Sequence, residues 1–129
     1  MTPELTALAL AALLQIGQMA LFSVLAQKQV GRDYAASPRD TPRTLSGHAG
    51  RAQRAMNNHF EGLLLFAIAT LLVTYTDKTS AITVLCALTY LIARVLYVPA
   101  YLFAWTPWRS LIWAIGLLAT TILLIAALF

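Results

Sequence analysis

Charge and cysteine are both scarce in this sequence. Only 11% of its 129 residues are Asp, Glu, Lys or Arg, whereas 60% are hydrophobic, and this balance excludes an ordinary soluble domain. The single cysteine, Cys86, lies within an apolar run, so a disulfide framework is excluded as well. His48 has no second candidate ligand at metal-binding spacing, and no metal site is predicted.

The formal net charge of +4 is compatible with nucleic-acid binding, but the cations are concentrated in one segment. Most of them lie between Lys28 and Arg54, in a stretch that follows a long apolar run. That distribution is typical of a cytoplasmic loop in a membrane protein. We therefore expect contact with membrane lipids and no nucleic-acid partner.

Four long apolar runs predict four membrane spans. The spans cover approximately residues 5–26, 57–75, 81–102 and 109–129. A polar connection over about 27–50 joins the first two spans. A helix rises about 1.5 Å per residue, so runs of this length can cross a hydrocarbon core of ~30 Å. The sequence thus predicts an all-α fold, in which residues 1–129 form a single domain built as an integral membrane four-helix bundle.

Glycine and proline punctuate the polar connection, which is therefore expected to be irregular. Within the first span, Gln15 and Gln18 share one face and are too polar for lipid, so that face should meet another helix or another subunit.

The charges at the two ends of the spans predict an orientation. The connection after the first span is strongly basic, and the turn before the fourth carries Arg109, whereas the opposite side carries Glu4, Asp77 and Lys78. The positive-inside rule then puts the basic loop in the cytoplasm and both termini outside.

A polar stripe begins the second span. Read as a helix, it places four polar side chains on one face, within an arc of roughly 80°: Arg51, Arg54, Asn58 and Glu61. Polar groups at membrane depth need partners and mark candidate functional sites. The alternative is a helix end that snorkels, with both arginines at the headgroups and the glutamate paired to a neighbouring helix.

A second stripe lies on the third span, within about 60° of arc: Tyr90, Arg94, Tyr97 and Tyr101. Arg94 is about two turns deep and requires an anion, for which Glu61 is the economical partner. The pair is either a structural ion pair or part of a basic cleft that also includes Arg109. Such a cleft suits a small ligand with two carboxylates, one ammonium and amide groups, and glutathione has this composition.

The motifs resemble those of a known family. Arg-x-x-Arg-Ala-x-x-Asn-x-x-Glu, formed by the stripe of the second span, resembles the signature of the MAPEG family, the membrane-associated proteins in eicosanoid and glutathione metabolism. Ala93-Arg94-x-x-Tyr97-x-x-x-Tyr101 resembles the pattern of the family's third helix. Pro107-Trp108-Arg109-Ser110 is similar to the Pro-x-Arg-Ser turn of its prostaglandin-forming members. The resemblance covers nearly the whole chain and is strongest with the short bacterial branch.

The resemblance implies a homotrimer of four-helix subunits, and its bacterial branch implies a bacterial inner membrane. In that membrane the orientation predicted from the charges makes both termini periplasmic. Glutathione would be the co-substrate, bound between subunits, and a small lipophilic substrate would enter from the lipid. Arg109 would be catalytic, as the residue that activates the thiol. The residues that would bind glutathione are Arg51, Arg54, Asn58, Glu61, Arg94, Tyr97 and Tyr101.

The chain departs from the family pattern at two points. Gly62 follows the signature glutamate, where the leukotriene-forming branch often has tyrosine, and the distance from Tyr101 to Arg109 differs from that in the animal enzymes. Two functions therefore stay open. The first is a glutathione-dependent transferase or peroxidase acting on lipophilic electrophiles. The second is a non-catalytic membrane protein that binds a lipid headgroup or another anionic small molecule in the same cleft. A transporter is disfavoured because the spans show no inverted repeat.

Overall fold

The structure is a computed structural model that describes all 129 residues, and its regular elements are all helices. Four of these are long and apolar enough to cross a membrane: α1 (Pro3–Val30), α3 (Gly47–Tyr75), α4 (Ala81–Leu102) and α5 (Trp108–Leu128). A short helix, α2 (Arg32–Ala36), lies between the first two. The predicted all-α membrane bundle of four helices is confirmed.

The first helix packs against the bundle through small and polar side chains, while most of its large apolar side chains point outward. The buried face of α1 consists of Glu4, Ala7, Ala11, Gln15 and Gln18, with Leu13 and Ile16 left exposed. In lipid there is little hydrophobic drive between helices, and small residues allow their backbones to approach closely. The outward leucines and isoleucines are suited to contact with lipid.

The apolar core lies where α1 and α5 both pack against α3 and α4. At its centre Phe66 of α3 stacks on Tyr90 of α4, with ring centroids 3.9 Å apart and an interplanar angle of 13°. Leu123 of α5 and Val73 of α3 are fully buried beside them. This contact fixes the relative rotation of α3 and α4, the two helices that carry both polar stripes.

The connection between the first two spans is more ordered than the sequence predicted. The expectation of an irregular segment over about 27–50 is wrong at both ends, because α1 continues to Val30 and α3 already begins at Gly47. Alanine, glutamine and arginine favour helix as well as leucine does, so the helices continue past the apolar runs that mark the spans. Gly31, with φ 90°, separates α1 from α2.

Side chains tie the helices together at the opposite end of the bundle. Ser80 and Thr83 form a capping box at the start of α4, and the Thr83 hydroxyl also donates to Oε1 of the fully buried Glu4, at 2.6 Å. Lys78 donates to the carbonyl of Ala127, at 3.1 Å. The short turn between α3 and α4 makes these helices antiparallel neighbours, so the second half of α4 lies beside the first half of α3.

Candidate functional site

The stripe on α4 faces into the bundle. Tyr90, Arg94 and Tyr97 are buried, and Tyr101 is half-buried near the end of the helix. Arg94 is only 3% exposed although it lies within a segment that crosses the membrane. A charge at this position is stable only if polar groups inside the protein surround it.

Arg94 has Asn58 as its hydrogen-bonding partner, and the predicted contact with Glu61 is wrong. Nη2 of Arg94 donates to Oδ1 of Asn58 at 2.9 Å, and the guanidinium carbon lies 4.5 Å from the centroid of the Tyr97 ring. Glu61 is exposed. It lies three residues after Asn58 on α3, about 60° around the helix, and makes no hydrogen bond or ion pair with Arg94. A neutral amide and an aromatic ring thus surround this guanidinium, and its positive charge is not neutralised.

A second contact joins α3 to the end of α4, close to the start of α5. Nε of Arg54 donates to the Tyr101 hydroxyl at 3.1 Å. The guanidinium carbon of Arg109 lies 4.6 Å from the centroid of the same tyrosine ring, which places it over that ring. Tyr101 and Tyr97 are themselves in edge-to-face contact, with centroids 5.6 Å apart. The structure therefore brings six of the predicted site residues into one connected group.

These six residues, which we call the basic cleft, are Arg54, Asn58, Arg94, Tyr97, Tyr101 and Arg109. A cavity of about 140 Å³ opens at the cleft and is lined by Asn58, Tyr97, Arg109, Ser110 and Trp113. No acidic residue lines it. Guanidiniums that are held in place by rings and amides, rather than by carboxylates, keep donors available for an anionic ligand.

The remaining two predicted residues lie at the margin of the basic cleft. Nε of Arg51 donates to the carbonyl of Leu102, at 2.8 Å, and so satisfies one of the free carbonyls at the end of α4. Glu61 is exposed on α3, one turn beyond Asn58. Arg51 thus has a structural role in the single chain, and Glu61 is available to a ligand or to a neighbouring subunit.

Two glycines allow the helices to approach closely around Arg94. A Cβ added at Gly62 would lie 3.4 Å from the Tyr90 hydroxyl and 3.8 Å from the guanidinium carbon of Arg94. A Cβ added at Gly116 would lie 3.8 Å from Cδ of Arg94. Both glycines therefore lie directly against the α4 stripe, with room for a Cβ at ordinary contact distance.

The sequence analysis missed His59, which is 1% exposed. Its Nδ1 lies 2.8 Å from Oε1 of Gln15 and 3.0 Å from Nε2 of Gln18. The glutamine face of α1 therefore meets α3 of the same chain, which confirms the expected contact with another helix. The signal was present: two glutamines at one depth require a polar partner, and His59 is the polar residue of α3 on that side.

The chain contains no group of three or more His, Cys, Asp or Glu side chains that could hold a metal ion.

The chain was compared with three sets of known proteins. Searches of curated proteins and of solved structures found no match. A comparison with protein-family models, however, matches residues 5–129, essentially the whole chain, to the MAPEG family. With its four membrane-crossing helices and its two polar stripes, the chain belongs to the MAPEG family.

Proposed function

We propose that the protein is a glutathione-dependent membrane transferase or peroxidase that acts on lipophilic electrophiles. The observation that carries this proposal is the basic cleft, where three guanidiniums from three different helices come together without an acidic partner. A tripeptide with two carboxylates would supply the missing negative charge. Membership of a glutathione-associated family supports the same ligand.

The cavity in a single chain is too small to hold such a ligand by itself. It measures about 140 Å³, whereas sites for ligands of this size usually measure roughly 300–1,000 Å³. Glu61 and the lining residue Trp113 are exposed in the single chain, where a second subunit can cover them. We therefore propose that glutathione binds between the subunits of a homotrimer, and that each subunit supplies one wall.

Each residue of the cleft has a proposed role. Arg54 and Arg94 bind the carboxylates, with Arg51 at the margin, and Glu61 binds the ammonium group. Asn58, Tyr97 and Tyr101 hydrogen-bond the amides.

Arg109 is the proposed catalytic residue. It is half-buried, and its guanidinium, over the Tyr101 ring, lies at the mouth of the cavity. A fixed positive charge lowers the pKa of a nearby thiol and stabilises the thiolate. The thiolate sulfur then donates its electron pair to the electrophilic carbon of a substrate that enters from the lipid, and the sulfur–carbon bond forms as the leaving group departs. Arg109 keeps its proton throughout and acts by charge.

The test is thiol-dependent conjugation of a generic lipophilic electrophile by the purified protein. We expect the wild type to turn over, and Arg109→Ala to lower kcat about 100-fold with a much smaller change in glutathione affinity, because the charge acts on the thiolate. Lys78→Gln, at the opposite end of the bundle, is the control and should leave the rate unchanged. Glutathione binding without turnover in the wild type would favour the non-catalytic alternative.

A further inference from the structure

A cavity larger than the one at the basic cleft lies at the other side of α3. It measures about 480 Å³, is open to the surface, and is bounded by the end of α1, by α2 and by the loop that precedes α3. None of the residues of the basic cleft lines it; the only lining residue from α3 is Gln53. Within a single chain, the pocket is therefore separate from the wall that the basic cleft supplies to the proposed glutathione site.

The walls of this cavity, which we call the loop pocket, differ sharply in polarity. α1 supplies the floor, where the apolar Phe22, Ala26 and Val30 lie beside the polar Ser23 and Gln27, whose side chains hydrogen-bond to each other. The part of the wall formed by α2 and the loop, which we call the rim, is basic because Arg32, Arg39 and Arg43 all line it. The two acidic residues of the same loop, Asp33 and Asp40, do not line the pocket, so the charge of its rim is positive throughout.

Hydrogen bonds to the backbone hold two of the three arginines at the rim. Arg39 donates to the carbonyl of Ala35 through Nε at 3.1 Å and Nη2 at 2.7 Å, and Arg43 donates through Nη1 to the carbonyl of Val30 at 2.7 Å. The guanidinium of Arg43 also lies over the ring of Tyr34, with its carbon 4.3 Å from the centroid. Each guanidinium has five N–H groups, so both keep further donors for a ligand.

The position of the loop pocket along α1 favours a lipid over a soluble anion as its ligand. Its floor is the last part of α1, where the apolar span ends and the basic segment begins, and this is the depth of lipid headgroups. A soluble anion would satisfy the arginines but leave the apolar floor in water. A lipid satisfies both halves of the pocket, since its phosphate meets the rim and the first carbons of its acyl chains cover the floor.

We propose that the loop pocket binds an anionic phospholipid, with the phosphate against Arg32, Arg39 and Arg43 and the acyl chains along α1. The lipid orders the segment between α2 and α3. Since α3 carries Arg51 and Arg54 directly after that segment, an occupied pocket also fixes the start of the helix that forms the basic cleft.

The proposal is tested by native mass spectrometry of the delipidated, detergent-solubilised protein, mixed with equal amounts of phosphatidylglycerol and phosphatidylcholine. We expect the wild type to retain phosphatidylglycerol in about tenfold excess. Arg32→Gln should remove most of that excess, because it deletes one guanidinium without disturbing the carbonyl contacts of the other two. Lys28→Gln is the matched control, since it removes the same charge near the end of α1 from a residue that does not line the pocket.

A second variant tests whether the apolar floor contributes to binding, and a second ligand tests whether a free anion can replace the lipid. Ala26→Phe fills the apolar floor while it keeps every charge, and it should reduce lipid retention as Arg32→Gln does; its melting temperature without lipid reports whether it folds. Inorganic phosphate should raise the melting temperature of the wild type much less than phosphatidylglycerol does. Equal retention of both lipids, an equal loss in Lys28→Gln and Arg32→Gln, or equal stabilisation by inorganic phosphate would overturn the proposal.

Discussion

At the scale of single residues, the hydrogen-bonding partner of Arg94 is the main difference between the predicted site and the structure. The sequence analysis expected an anion beside an arginine two turns deep, whereas the buried guanidinium has the neutral amide of Asn58 as its partner. The partner could not be identified from the sequence, because Asn58 and Glu61 share a stripe and lie within one turn of each other. Only the rotation of α3 against α4, set by the Phe66–Tyr90 stack, decides between them.

The assignment of Asn58 as the partner makes a testable prediction. Asn58→Leu should reduce the free energy of unfolding by about 1.5–3 kcal/mol, because it leaves a buried charge without its hydrogen-bonding partner. Glu61→Gln should change it by no more than about 0.5 kcal/mol, since Glu61 is exposed. Thermal unfolding of the ligand-free protein in detergent measures both. A larger loss of stability in Glu61→Gln than in Asn58→Leu would contradict this assignment and would favour an ion pair between Glu61 and Arg94.

At the scale of the helices, the four spans were predictable, but the helix ends that flank the basic loop were not. The apolar runs gave the third span as 81–102 and the fourth as 109–129, close to the helices Ala81–Leu102 and Trp108–Leu128. Around the basic loop, however, helix propensity extends α1 and α3 beyond the apolar runs. The packing faces were also hidden in the sequence, because alanine and glycine in membrane helices have no pattern of hydrophobicity to distinguish them from lipid-facing positions.

Helix α5 packs against α4 at Gly116, where there is room for a side chain the size of alanine. An added Cβ would lie 3.7 Å from Cβ of Ala93 and 3.8 Å from Cδ of Arg94, which is ordinary contact. We therefore expect Gly116→Ala to be nearly neutral, and Gly116→Leu to destabilise the protein by about 1–3 kcal/mol through overpacking. Gly17→Leu is the control, since nothing lies within 4 Å of its added Cβ. Thermal melting of the three variants in one detergent checks this; equal melting temperatures for Gly116→Leu and Gly17→Leu would contradict the packing account.

At the scale of the whole molecule, the four helices put both termini at one end of the bundle and the basic cleft near the other. The cleft lies beside the first half of α3, the end of α4 and the start of α5, and the loop pocket lies at the same end. The orientation in the membrane and the assembly into a trimer are predictions, which follow from the distribution of charge and from the family.

We predict that a tag placed after Phe129 is accessible from outside the inner membrane. The basis is the contrast between the basic segment from Lys28 to Arg54 and the few charges at the opposite end. Labelling of the tag in intact and in permeabilised cells measures its location. A tag that can be labelled only after permeabilisation would reverse the orientation, and cytosolic glutathione could then not reach the cleft directly.

The central claim is that the basic cleft binds glutathione, and titration calorimetry on the purified protein tests it most directly. We expect saturable binding in the wild type and an affinity about tenfold weaker in Arg54→Gln, because a charge-assisted contact to a carboxylate is lost. Lys78→Gln, which removes one charge at the opposite end of the bundle, should bind as the wild type does. An Arg54→Gln protein that binds glutathione as tightly as the wild type, or a wild type that does not bind it at all, would contradict the account.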